Sequence, residues 1–289
     1  MKPSKLSYVK VWKPALFCWL VFTSGLLSLS GCQTKQKASF IIVAVDHLAF
    51  NSFSCVDERS VATSGFSILC KEAIRFTHAY TTSVHPAAAL GSILTGSYPY
   101  AHDLHRSTGR LHAQPKLVSE MADSLGYRTS FFSGSPSAMK KTGLSKGFDL
   151  YDDLTLLDSR NFLVPLKKQT EMAYNWMKES SDPFFTVIYN SELELLNENE
   201  TEISLFEKFD ENLAGFFNDL KAKTLWEANY VIVVGLQGKS DYSRTNESML
   251  SNLHSENTNV ILFVKPPRQK GDDGINWKVD TSISIADLG

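Results

Sequence analysis

The hydrophobic pattern of this chain alternates between two periods. FIIVAV at residues 40–45 is unbroken and largely β-branched, as expected of a strand covered on both faces. Residues 128–132, 184–189, 230–234 and 260–264 have the same character. Between them lie stretches with helical spacing. Residues 117–125 are apolar at that spacing and stop at Gly126, a natural residue just past a helix end. Residues 170–178 and 203–223 are amphipathic, and Phe66, Leu69, Cys70 and Ile74 share one helical stripe. Strands alternating with helices predict a three-layer α/β/α sandwich built on a mostly parallel sheet.

The start of the chain has a different texture. Lys2, Lys5, Lys10 and Lys13 form a basic segment, and residues 15–29 are uncharged and mostly apolar. That run is shorter than the ~20 residues a spanning helix needs, and it ends in small residues, as a cleaved secretory signal does. Leu29-Ser30-Gly31-Cys32 resembles the bacterial lipobox, which implies cleavage before Cys32 and lipidation of its sulfur. An uncleaved anchor helix is the other reading, and the small residues at the cleavage point speak against it. Gln33, rather than Asp, follows the cysteine and leans toward the outer membrane. The chain therefore divides into a signal peptide (1–31), a polar lipidated tether (32–39) and a folded domain (40–289).

Composition narrows the partners. A net charge of −2 over 289 residues leaves no electrostatic footprint for nucleic acid. Beyond Cys32 the cysteines are Cys55 and Cys70, in a compartment where disulfides persist. The helical stripe predicts a buried free thiol at Cys70, with a Cys55–Cys70 bond as the alternative. Glu194, Glu198, Glu200, Glu202, Glu207, Asp210 and Glu211 stand against one Lys208. The expected structure there is a solvated helix face after a polar loop. A cation-binding surface is the alternative, although the acids follow no ligand spacing.

Ligands of open parallel sheets bind beyond the carboxyl ends of the strands. Those ends are Asp46-His47, Asn190-Ser191-Glu192 and the segment Gly235-Leu236-Gln237-Gly238-Lys239. Asp46, directly after a buried strand, serves either to cap the following turn or to bind a metal.

Six segments in order resemble the sulfatase branch of the alkaline phosphatase superfamily. FIIVAVDH (40–47) resembles its first strand and metal-binding acid pair. CKEAIRFTHAY (70–80) is similar to the family's EGVRFTNAY, and PAAALGSILTGSYP (86–99) to the nucleophile helix that ends LLTGRYP. Residues 126–154, 206–234 and 253–267 follow in family order. The resemblance implies a metal-assisted sulfate or phosphate ester hydrolase or transferase. Several acids would hold a divalent metal beside a nucleophile at a helix N-terminus, sharing the charge of the transferring group.

The residues at the implied positions depart from that chemistry. Asp46 matches the first metal acid, but His47 replaces the second. Pro86 falls at the nucleophile position, Leu90 at the following arginine, and Leu236-Gln237 at the later acid and its neighbour. Tyr189 to Glu192 replaces a segment that carries a catalytic histidine. A shifted alignment would instead offer Thr81, Thr82 or Ser83 as nucleophile, with His85 as base. The other histidines, His78, His102, His105, His112 and His254, have no metal-ligand spacing and suit core or surface roles. Residues 282–289 are similar to the family's VSLVDLGPTLLDL, after which relatives continue into a C-terminal subdomain that this chain is expected to lack.

The expectation is a catalytically inactive sulfatase-like lipoprotein of the bacterial envelope, held to the membrane by lipid on Cys32. It would bind an envelope polymer or protein, or serve a structural role. No cofactor is expected. A divalent metal, Ca²⁺ or Mg²⁺ held in part by Asp46 and His47, belongs only to the alternative, an active hydrolase or transferase with an atypical nucleophile.

Overall fold

In the computed structural model the described residues are 37–50, 55, 64–112, 115–155, 162–194, 201–238, 255–268 and 275–289. Cys32 and the segment before it, Glu198, Glu200 and His254 lie outside them. The elements below belong to one compact unit, Ala38–Gly289.

The strands are β1 Phe40–Val45, β2 Ile74–Tyr80, β3 Arg128–Ser133, β4 Leu150–Asp152, β5 Phe184–Asn190, β6 Tyr230–Gly235, β7 Asn259–Lys265, β8 Trp277–Val279 and β9 Ile283–Ser284. The helices are α1 Ser64–Glu72, α2 Pro86–Thr95, α3 Pro99–His102, α4 Val118–Ser124, α5 Leu166–Lys178, α6 Glu202–Ala222, α7 Leu225–Ala228 and α8 Ser255–Thr258. One sheet runs β4-β3-β5-β1-β6-β7-β2-β8, with β9 also on β2. β1 lies at its centre, parallel to β5 and β6. Five of its six residues are buried, which is why an unbroken apolar run suits it.

Alternate residues of β1 feed two cores. Ile41, Val43 and Val45 pack with Phe66 and Leu69 of α1, Ala173 of α5 and Phe209 and Phe217 of α6. Ile42 and Ala44 face Leu90 and Ile93 of α2 and Ala122 of α4. This is the predicted three-layer sandwich. Each such aliphatic side chain contributes roughly 1.5–3 kcal/mol by burial. Gly126 follows α4 with φ 80°, the left-handed conformation its position called for.

β7 joins the mostly parallel sheet as expected, antiparallel to both β6 and β2. Two expectations are corrected. The stripe through Ile74 is not one helix: α1 ends at Glu72, and the IRFTHAY segment turns into β2 beside β7. Cys70 is not a free thiol but is bonded to Cys55, their Cα atoms 6.0 Å apart, inside the range a disulfide spans.

The acidic stretch also divides. Glu207 and Glu211 are exposed, but Asp210 on α6 is 1 % exposed. Its carboxylate accepts the Gly65 and Phe66 N–H groups at 3.0 and 2.8 Å, capping α1 from outside. A helix N-terminus leaves such donors without internal partners and favours an anion. Among the described residues no helix is long and apolar enough to cross a membrane.

Candidate functional site

The parallel ladder brings three strand ends together. Asp46 N–H donates to the Asn190 carbonyl at 2.9 Å, Leu236 N–H to Val45 at 2.8 Å, and Leu48 N–H to Gln237 at 2.9 Å. Asp46 thus sits between the segments that follow β5 and β6. Gly235 permits the crossing, because a Cβ there would lie 2.2 Å from the Leu48 carbonyl oxygen.

Asp46 is 1 % exposed, and one of its oxygens is already committed. Asp46 Oδ2 accepts the Tyr189 hydroxyl at 2.6 Å and the Ser191 hydroxyl at 2.5 Å. Tyr189 stands opposite Ala44 in the ladder, where the small neighbour precedes Asp46 by two residues and shares its face. Ser135 Oγ lies 2.8 Å from the Tyr189 hydroxyl, and Ser191 Oγ lies 2.9 Å from it. The loop carrying Ser135 can come this close because Gly134 packs on β5; a Cβ there would be 2.3 Å from the Tyr189 carbonyl oxygen. Asp46 Oδ1 has no hydrogen-bond partner among the described residues. Burial pushes the carboxyl up to about 7, against the two hydroxyl bonds that favour the anion, with Glu194 adding a smaller upward push. Burial and the neighbouring Asp46 hold the Tyr189 phenol well above its usual range.

The remaining implied positions are found close by. His47 takes a left-handed backbone with φ 57°. Leu236 is fully buried within the apolar cluster, and Gln237 is buried with its Oε1 unbonded among the described residues. A hard divalent cation takes six or more oxygen ligands, and tight binding needs more than one of them anionic or an anionic substrate. Here one carboxylate supplies the charge, and one of its oxygens is taken by two O–H donors. Among the described residues no group of three His, Cys, Asp or Glu side chains could hold a metal ion. Among the described residues the donor set at this strand end does not fit Ca²⁺ or Mg²⁺.

Pro86 is the first residue of α2, which follows β2 and whose N-cap residue His85 makes no side-chain capping bond. Leu90 is buried in that helix. The hydroxyls before it are engaged with one another and with α2. Thr81 Oγ1 donates to the Ser83 carbonyl at 2.9 Å, and Thr82 Oγ1 to Ser92 Oγ at 2.7 Å. Ser83 Oγ accepts the backbone N–H of His85 at 3.1 Å, so the contact is not made by the exposed imidazole. No hydrogen bond joins Thr81, Thr82, Ser83 or His85 to Asp46.

A further pair resembles a nucleophile and base. Ser92 Oγ lies 3.1 Å from His102 Nε2, and both side chains are fully buried. His102 Nδ1, however, accepts the Leu104 N–H at 3.1 Å. The proton of the neutral ring is therefore assigned to Nε2, which donates to Ser92 and cannot take its proton. Burial holds this histidine below its usual pKa, which keeps the ring neutral. It has the core role the spacing suggested. Sequence reasoning flagged residues 189–192 as a replaced segment but missed Tyr189, Ser191 and Ser135 as donors around Asp46. The available signal was the spacing of two hydroxyl residues, two apart, at a strand end beside β1.

Comparison with known proteins agrees with this architecture. The sulfatase family model matches residues 38–193, more than half of the chain. An N-acetylgalactosamine-6-O-sulfatase of Bacteroides thetaiotaomicron is 30 % identical over 122 residues, covering 36 % of this chain and 23 % of that protein. The match thus spans less than a quarter of that relative. A phosphonate monoester hydrolase of Agrobacterium radiobacter superposes with a TM-score of 0.66 at 14 % identity, covering 87 % of this chain and 72 % of that one. The lipoteichoic acid synthase of Listeria monocytogenes gives 0.67 at 13 % identity, over 88 % and 70 %. These two likenesses establish the fold. The family model, matching more than half of the chain, places it in the sulfatase family.

Proposed function

We propose that this chain is an envelope lipoprotein, anchored through Cys32, whose sulfatase-family domain binds an envelope polymer or protein ligand without hydrolysing an ester. The observation that carries the reading is the head of α2. Its first turn is Pro86-Ala87-Ala88-Ala89, with neither hydroxyl nor thiol. Proline also lacks the N–H that a helix N-terminus would offer an oxyanion. The buried Leu236 beside Asp46 supports the same reading. The Cys55–Cys70 disulfide suits a domain folded outside the cytoplasm.

The test is a turnover assay of the purified full chain on aryl sulfates and aryl phosphates. No turnover above the uncatalysed background is expected, because losing a nucleophile ordinarily costs several orders of magnitude in rate. Turnover that disappears in Thr82→Val, or in Thr81→Val or Ser83→Ala, would establish the hydrolase reading instead. Anchoring is tested separately. Cys32→Ser is expected to accumulate unprocessed precursor and to lose incorporation of labelled fatty acid. Normal acylation of that variant would remove the lipoprotein assignment.

A further inference from the structure

We infer that a hydroxyl network, Tyr189–Ser191–Ser135 around Asp46 Oδ2, stands where relatives need a metal and makes the strand-end site independent of divalent ions. The inference deepens the non-hydrolytic reading and rests on the same site. Three observations carry it.

The first is stoichiometric. Asp46 Oδ2 accepts two hydroxyls, at 2.6 and 2.5 Å, which leaves Oδ1 as the open oxygen of the one carboxylate at this strand end, too few anionic ligands for a tightly held cation. The second is steric. Tyr189 and Ser191 are fully buried, and their hydroxyls lie 2.9 Å apart. A cation bound at Oδ2, at the 2.0–2.6 Å typical of Mg²⁺ or Ca²⁺, would have to displace these two donors. The third is mechanical. The network crosses three segments: Asp46 follows β1, Tyr189 and Ser191 end β5, and Ser135 follows β3. It therefore performs the joining task that a shared metal performs, with neutral donors in its place. Removing one hydroxyl leaves Asp46 with one donor in a buried setting, where an unmet polar group is costly.

The experiment uses the full chain and measures its melting temperature with millimolar Ca²⁺, millimolar Mg²⁺ or chelator, with calorimetric titration of each ion in parallel. We expect no shift with any of the three and no binding heat. Ser191→Ala and Tyr189→Phe are each expected to lower the melting temperature by about 3–6 °C. The double variant should lose less than the sum, because both hydroxyls serve one oxygen. An upward shift with Ca²⁺ or Mg²⁺ that Asp46→Asn abolishes would overturn the inference, as would variants that melt with the wild type. The ion titration of the wild-type chain decides the matter even where a variant fails to fold. The two readings fail separately. Ester turnover without any ion effect sinks the proposed function and leaves the network standing, whereas an ion-dependent shift without turnover sinks the network alone.

Discussion

Asp210→Ala is expected to lower the melting temperature by about 10 °C, corresponding to roughly 3–4 kcal/mol. The side chain is 1 % exposed and bonds the Gly65 and Phe66 N–H groups in the first turn of α1. Hydrogen bonds to a charged group are worth about 1.5–3 kcal/mol each, and the favourable alignment with the helix dipole is lost with them. Both the Gly65 and the Phe66 N–H donate to the one Asp210 carboxylate. Water cannot easily replace it, because Gly65 packs so closely on α6 that an added Cβ would lie 2.7 Å from the Asp210 carbonyl. Asp210→Asn keeps one acceptor and gives up the charge, so it should lose about half as much. The measurement is thermal unfolding of the three full chains under the same buffer. An alanine variant melting within about 1 °C of wild type would show that α1 is held by its apolar face and the Cys55–Cys70 bond alone.

Asp210 illustrates where reading the sequence stops. As one acid in a run of seven it looked solvated, because composition along a chain is local. Its role depends on α1, 144 residues away from the donor it bonds. The five strands read from the sequence were legible because each is largely covered on both faces. β2 was not, since its exposed alternation (Thr77 and Ala79 buried, His78 and Tyr80 exposed) follows a helical stripe without a breaker. β4, β8 and β9 are only three, three and two residues long, too short for any period to register. At the site, Asp46 was legible from its place after β1, and the loss of partners at Pro86 and Leu236 from the family resemblance. What replaced the partners was not. Tyr189 meets Asp46 across 143 residues of sequence and Ser135 meets Tyr189 across 54, distances over which only the parallel register of β3, β5 and β1 makes neighbours.

Asp46 should also leave a signature in the pH dependence of stability. Its folded-state carboxyl sits at about 7 against an ordinary 3.8, with burial as the main cause. The sign follows from proton uptake. Between those two values the native state holds a proton that the unfolded chain has released, so stability falls as pH rises through the window. The stabilisation from holding that proton is complete below about pH 4 and lost above about pH 7. A shift from 3.8 to about 7 corresponds to roughly 4 kcal/mol at about 1.4 kcal/mol per pH unit, an upper figure for so buried a group. Asp46→Asn is close in shape, keeps an acceptor for Tyr189 and Ser191, and cannot ionise. Its unfolding free energy relative to wild type should therefore rise by about 2–3 kcal/mol from pH 5 to pH 8, the two pH units up to about 7 contributing about 1.4 kcal/mol each. Taking the difference between the two chains cancels the other carboxylates, including Glu194, whose proximity adds to the upward push on Asp46. Denaturant midpoints at both pH values, with chelator present, measure it. Parallel curves for the two chains would mean that Asp46 ionises at an ordinary pH, and that the hydroxyls of Tyr189 and Ser191 fully offset its burial.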